Sequence, residues 1–233
     1  MTAHSLAHNA AAPTLRLLGI EDGLSLLTLQ DTVTEGLPPG YLRPKAEEAL
    51  YYYLDGTLGV AYGIFEHNGL RASALLRLPD AEHPNPDAKP RFPIVPETDW
   101  PCHAAFLENA MVHPDARGRG LQRMLLDIRL THAAAAGMRW ACAASHLHNQ
   151  ASWSNLLGAG LVLAGLIERE GQPLIGLVAG LGVARITSDP REKRLVEARD
   201  KVQHLAALAD GFVGVRSDAR GAVVYQRLAR VFA

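Results

Sequence analysis

The chain has 233 residues, 48% hydrophobic and 20% charged, with a formal net charge of −1. That length buries a sizeable core and suits one elaborated domain, and the near-neutral balance lacks the basic footprint of a nucleic-acid binder. Cys102 and Cys142 are too few for a disulfide framework and are not spaced as a metal knuckle, which fits a reducing, cytoplasmic compartment; no apolar run reaches ~18 residues without Gly, Pro or charge, which argues against a membrane helix.

In chain order, residues 1–13 have neither the basic nor the apolar region of a signal peptide and are expected to form a mobile tail. Thr14–Ile20 reads as a first strand. Asp22–Thr34 reads as a helix, with Asp22 as cap and Leu24, Leu27 and Val33 as apolar positions. Gly36-Leu-Pro-Pro-Gly40 is a break. Pro44–Leu54 reads as a second helix with Pro44 in its first turn. Its run Tyr51-Tyr52-Tyr53 either lines a pocket or packs with the hydroxyls at the surface. Leu58–Glu66 and Leu70–Leu78 read as strands joined by His67-Asn68-Gly69, a hairpin signal. Pro79–Pro101 holds seven of the 14 prolines. So long a loop is a lid, a specificity element or an ordered excursion with no role.

The centre of the chain is Leu107–Gln122, LENAMVHPDARGRGLQ. Ala104–Val112 is mostly apolar and reads as a buried strand that His113-Pro114-Asp115 ends. Ala116–Gly120 is a loop rich in Gly and Arg. Leu121, Leu125, Ile128 and Ala135 then recur at helical spacing. A strand, a Gly/Arg loop and a helix start together make an anion site, because the first-turn N–H groups are free and the helix dipole is positive there. Gly118 and Gly120 let a phosphate approach the backbone, and Arg117, Arg119 and Arg123 add charge. The plainer alternative is a tight turn with solvated arginines. Neither G-x-x-x-x-G-K-[ST] nor G-x-G-x-x-G follows the strand.

Met138–Ala144 reads as the next strand. Ser145–Gly160 enters a helix with Asn149 as cap and Gly160 as terminator. Leu161–Glu168 and Pro173–Val178 form a hairpin around Glu170-Gly171. In the tail, Asp189-Pro190-Arg191-Glu192 reads as a helix start, and Leu195, Ala198, Val202, Leu205 and Ala209 continue a stripe to Gly211. Phe212–Val215 and Ala222–Gln226 read as a hairpin. This helix-hairpin extension, residues 181–233, can pack on the core, cover the active site or build a homodimer; packing is the simplest.

VHPDARGRGLQRML resembles motif A of the GNAT superfamily of CoA-dependent N-acetyltransferases, Q/R-x-x-G-x-G/A. Arg117 and Gly120 fit; Gln122 stands where Gly or Ala is usual. HNQASWSNLLGAGL resembles motif B, with Asn149, Ser152, Leu156 and Gly160 in place. The resemblance covers Ala104–Gly180 and extends weakly back to Leu15. It implies an N-acetyltransferase domain over residues 14–180. That domain would have a GNAT-type mixed, mostly antiparallel central sheet flanked by helices, and acetyl-CoA as cosubstrate. It also implies CoA contacts from Met111, Val112, Arg117, Gly118, Arg119, Gly120, Leu121, Gln122 and Asn149. The expected reaction is direct attack by a primary amine in a ternary complex. The acceptor is a small molecule or a protein N-terminus.

An attacking amine must be neutral, so a base is needed. Glu108, a carboxylate in an apolar strand on the same face as Phe106, is the first candidate. His146, His148 and Glu168 are rivals. In many members a Tyr on the motif B helix protonates the leaving thiolate, and Leu156 holds its place here. Ser152 is the substitute the resemblance suggests; packing beside CoA is the alternative. No metal-ligand spacing occurs, and none is expected. The rival reading is a non-catalytic acyl-CoA-binding module.

Overall fold

The computed structural model describes residues 12–67, 69–84, 92–99 and 102–232. The first eleven residues of the expected tail, Asn68 of the hairpin turn, and residues 85–91 and 100–101 of the Pro-rich stretch lie outside these. The elements run β1 (Thr14–Leu17), α1 (Gly23–Glu35), α2 (Glu47–Leu54), β2 (Gly59–Glu66), β3 (Gly69–Arg77), β4 (Ala104–Val112), α3 (Leu121–Ala135), β5 (Trp140–His146), α4 (Gln150–Gly158), β6 (Val162–Arg169), β7 (Gln172–Gly180), β8 (Arg185–Val196), α5 (Lys201–Ala209), β9 (Phe212–Ser217) and β10 (Val223–Phe232). Among the described residues the strands form one sheet in the order β1-β2-β3-β4-β5-β7-β6-β9-β10-β8. Every pairing is antiparallel except β4 with β5.

Helices cover both faces, so the central strands are apolar on both sides. On one face Leu26, Leu29 and Val33 of α1 and Leu50 and Tyr53 of α2 pack on Ala61, Leu75 and Met111. On the other, Leu121 and Leu125 of α3 pack on Tyr62, Ile64, Ala72 and Ala74. The largest cluster continues along that second face under Trp153, Leu156 and Leu157 of α4 and Ala207 of α5. Phe92 and Val95 cover Phe106, Trp140 and Cys142 on the first face. Buried Asp99 accepts from Arg139 Nη1 at 2.9 Å and Trp140 Nε1 at 2.5 Å. The described end of the Pro-rich stretch, residues 92–99, is therefore anchored to the core by Phe92, Val95 and Asp99.

Two departures from regular pairing shape the centre. β4 and β5 pair only from Ala104↔Trp140 to Phe106↔Cys142 and then part. Opposite β3, Glu108 faces Leu75 while Met111 faces Ser73. β4 therefore carries one extra residue, a bulge, with Asn109 in the left-handed region at φ 41°. Asn tolerates that conformation better than most residues.

The tail corrects the sequence reading. Asp189-Pro190-Arg191-Glu192 does not start a helix; it lies in β8. The register against β10 steps from Lys193↔Gln226 to Asp189↔Arg227, so residues 190–192 bulge out of the ladder. Pro190 has no N–H to give a ladder, and the bulge is where it is tolerated. The helix begins only at Lys201, where Asp200 caps it by accepting from the Gln203 N–H at 2.9 Å. β9 and β10 form the expected hairpin. β9 meets β6 at Leu163↔Gly214. A Cβ on Gly214 would sit 2.8 Å from Val223 and 3.0 Å from Leu163, so this close approach requires glycine. Val223, Tyr225 and Ala207 join the main core.

Candidate active site

The parting of β4 and β5 opens a cleft of about 1390 Å³. Its walls come from Glu108, Asn109, Ala110 and Val112 on one strand and Ala143 to His146 on the other. The α3 start and α4 bound one end. Tyr41, Arg43 and Lys45 before α2, with Arg169, Glu170 and Gln172 at the β6–β7 turn, bound the other. The His113 N–H donates to Arg71 O at 2.8 Å across β3. Strand alternation then turns the N–H and C=O of Val112 the other way, towards the gap. Met111 itself is buried under α1 and α2.

At the α3 end, Gly118 (φ 75°) and Gly120 (φ 76°) take left-handed turns. No atom lies within 4 Å of the place a Cβ would occupy at either. Gly120 is the N-cap and gives no side-chain cap bond, so the first-turn N–H groups are unsatisfied beside the cleft. The three arginines have separate fates. Arg117 is exposed, lines the cleft and has no ion pair among the described residues. Arg119 is turned away: its guanidinium grips buried Glu66 through two bonds of 2.6 and 2.5 Å. Arg123 bonds Asp127 at 2.8 Å and Gly158 O at 3.0 Å, tying α3 to α4. Of the expected triple charge at the loop, Arg117 alone is without an ion pair among the described residues, Arg119 is held away by Glu66, and Arg123 lines the cleft while paired with Asp127. Gln122 Oε1 accepts from Asn155 Nδ2 at 2.7 Å, bridging the two helices. Leu121 is buried and packs in the core beneath.

On α4, Asn149 acts as the cap, accepting from the Ser152 N–H at 3.3 Å. Ser152 and buried Leu156 both line the cleft.

Of the four candidate bases, His146 and Glu108 line the cleft, and Glu108 is the one on β4. Its Oε2 accepts from the Tyr53 hydroxyl at 2.9 Å and lies 2.7 Å from Lys45 Nζ, with a quarter of the side chain exposed. Burial first, then the Glu108 charge, pushes the Tyr53 phenol far above its usual value, so it stays a donor. Of the tyrosine run only Tyr53 reaches the site; Tyr52 is exposed and bonds Glu48. The His146 Nδ1 accepts from the His148 N–H at 3.1 Å, so Nε2 carries the proton and donates to Gln172 Oε1 at 2.8 Å. Both ring nitrogens of His146 are therefore engaged. His148 is exposed with its ring against His146. Glu168 lies outside the cleft and pairs with Lys201 of α5 at 2.5 Å.

Three participants carried no sequence signal. Tyr41, from the break after α1, stacks on His146 at 5.2 Å and donates to His148 O at 2.7 Å. Arg129 is buried and lines the cleft floor. It donates to Leu125 O (3.0 Å), Leu75 O (3.1 Å) and Glu108 O (3.3 Å), which fixes the carbonyl just before the bulge. Desolvation lowers its pKa to about 10, which leaves it charged at neutral pH. Lys45 is the third; Asp and Glu draw the eye in an apolar strand, whereas an Arg on a helix or a Lys beside a Pro reads as surface.

Among the described residues no group of His, Cys, Asp and Glu is arranged to hold a metal ion, and no helix is long and apolar enough to cross a membrane.

No family model and no curated protein matches the chain. Solved structures do. An N-acetyltransferase from Staphylococcus aureus Mu50 is 16% identical over 74% of this chain and 100% of its own, with a TM-score of 0.58. A GNAT-family acetyltransferase from Streptococcus pneumoniae is 15% identical over 73% of this chain and 99% of its own, with a TM-score of 0.57. The protein yncA from Salmonella typhimurium, solved with its cofactor acetyl-CoA, is 17% identical over 73% of this chain and 95% of its own, with a TM-score of 0.55. At such identities the likeness is one of fold, and the fold of this chain is that of the GNAT acetyltransferases.

Proposed function

We propose that the chain is an N-acetyltransferase that moves acetyl from acetyl-CoA to a primary amine by direct attack in a ternary complex. The observation that carries this is one cleft with three parts. These are the unpaired edge of β4, an uncapped glycine-lined helix start at one end, and the Glu108 carboxylate at the other.

The residues fit the cosubstrate. The main-chain N–H groups of Gly118 to Gln122, with Arg119 contributing only its backbone, suit a pyrophosphate, and the Arg117 guanidinium adds charge. The free main chain of β4 near Met111 and Val112 suits an amide-bearing arm, with Asn149 across the cleft. Acetyl-CoA supplies a thioester, and a β4 N–H facing the gap is a preorganised donor to its carbonyl oxygen. Glu108, oriented by Tyr53, accepts the proton of the acceptor ammonium directly or through water. Ser152, in the first turn of α4 and lining the cleft, protonates the leaving sulfur in this reading. A small-molecule amine and a protein N-terminus both suit the acceptor end, where Val33, Leu37 and Leu42 are apolar and Tyr41 and Gln172 are polar.

One observation favours the second reading, a non-catalytic acyl-CoA-binding module. Leu156, apolar and buried, holds the place of the usual acid. Release of CoA thiol on addition of an amine panel separates the two. The enzyme reading expects amine-dependent release that Glu108→Gln slows by about 10²–10⁴-fold without weakening acetyl-CoA binding. Binding of acetyl-CoA with no release across the panel would favour the module. Turnover that survives both Glu108→Gln and Ser152→Ala refutes the assigned base and acid.

A further inference from the structure

The amine position beside Glu108 is already filled by the chain's own Lys45. Its Nζ lies 2.7 Å from Glu108 Oε2 and 5.4 Å from the centre of the Tyr53 ring. Its backbone is held twice by the buried Gln30: the Lys45 N–H donates to Oε1 and the Lys45 carbonyl accepts from Nε2, both at 2.9 Å. A lysine is normally among the most mobile side chains, and ordering one costs side-chain entropy. Here both ends are fixed. A nucleophile within hydrogen-bond reach of a base that a third group orients is the arrangement by which reactive amines are recognised.

We propose that Lys45 is itself an acetyl acceptor, a self-modification site served by an acyl-CoA thioester in the same cleft. The inference rests on the transferase reading above. The Nζ lone pair forms a bond to the acyl carbon and the carbon–sulfur bond breaks. Of the three ammonium protons, one stays on the new amide, one passes to Glu108 and on to solvent, and one reaches the departing sulfur to give the CoA thiol. Acetylated Lys45 is neutral, so Glu108 loses its ion partner and keeps the Tyr53 hydroxyl.

The sequence provides its own control. The chain has four lysines, at 45, 89, 193 and 201. Lys193 is exposed on β8, and Lys201 pairs with Glu168 outside the cleft; Lys89 lies outside the described residues. The full chain is incubated with acetyl-CoA, and the acetyl content of each lysine is followed by peptide mass spectrometry at two protein concentrations. Lys45 should gain acetyl on the order of tenfold faster than Lys193, because its nitrogen is held beside the base. Its rate should not depend on protein concentration. Glu108→Gln should remove the excess at Lys45 and leave Lys193 unchanged. In urea-unfolded wild-type chain the two lysines should react alike, which tests the role of the fold without any variant. Equal rates at Lys45 and Lys193 in the folded chain, or an excess that survives Glu108→Gln, overturn the proposal. Turnover of added amines with Lys45 unmodified sinks it and leaves the transferase reading standing; no acetylation of Lys45 or of any amine removes both.

Discussion

Replacing Arg119 and Arg117 by Ala, one at a time, separates two jobs that the loop sequence superimposes. Arg119 makes two charge-assisted bonds to Glu66, whose side chain is only 6% exposed. Such bonds contribute about 1.5–3 kcal/mol when buried, but the Arg119 side is half exposed and screened. Arg119→Ala leaves the Glu66 carboxylate without its partner, and we expect a loss of about 2 kcal/mol. At 2–4 °C per kcal/mol for a chain this long, Tm falls by about 4–8 °C. Arg117 is exposed and has no ion pair among the described residues, so Arg117→Ala should leave Tm within about 1 °C, in line with an exposed site. It should weaken acetyl-CoA by about tenfold, the equivalent of one charge-assisted contact. Differential scanning fluorimetry and isothermal titration measure both quantities. A stable Arg119→Ala protein with lost affinity, beside an Arg117→Ala protein of normal affinity, would refute the division of labour.

Further outcomes follow from single residues. Gly120→Ala meets no neighbouring atom but must hold φ 76°, so it should lose about 1–2 kcal/mol in urea titration through backbone strain alone. A neutral effect would mean that the turn relaxes. Asp99→Asn breaks the charge that holds Arg139 and Trp140. It should cost about 1.5–3 kcal/mol and make residues 92–99 more sensitive to protease; unchanged cleavage contradicts the reading of that segment as anchored to the core. Buried His204 has its pKa lowered from 6.5, mainly by desolvation. The folded chain therefore keeps it neutral while the unfolded chain takes up a proton near 6.5. Its share of stability is complete above that pH and is lost as pH falls through 6.5 towards the folded value. His204→Gln should flatten the decline of the urea midpoint between pH 7 and pH 5, and an unchanged slope would show that other groups set it.

Local patterns found the elements with a single strong period. Ala104–Val112 and the helix from Leu121 fall where their apolar spacing put them, and Asn149 caps as its position before an apolar stripe implied. The tail misled because the stripe from Leu195 to Ala209 spans the end of β8 and all of α5, two elements with different periods. The Asp-Pro pair that looked like a cap sits in a bulge, and the working cap is Asp200. In the candidate site, Glu108 and the glycine loop were legible because a charge in an apolar strand and paired glycines before a helix each break a local rule. Tyr41, Lys45 and Arg129 break none. They meet at the cleft only through contacts far apart in sequence, such as Lys45 to Glu108 and Arg129 to the Leu75 carbonyl. The bulge at Asn109 likewise depends on the register of β4 against β3.

Thermal unfolding with acetyl-CoA, CoA or ATP added tests the central claim most directly. A ligand that binds only the folded chain adds ~2.7 kcal/mol at 100 times its dissociation constant. For this length that raises Tm by about 5–10 °C. The account predicts a rise with acetyl-CoA and with CoA, reduced by about half in Arg117→Ala at the same ligand concentration, and little change with ATP. No rise with either CoA species would mean that the uncapped start of α3 is only a turn and that the gap between β4 and β5 holds no acyl-CoA.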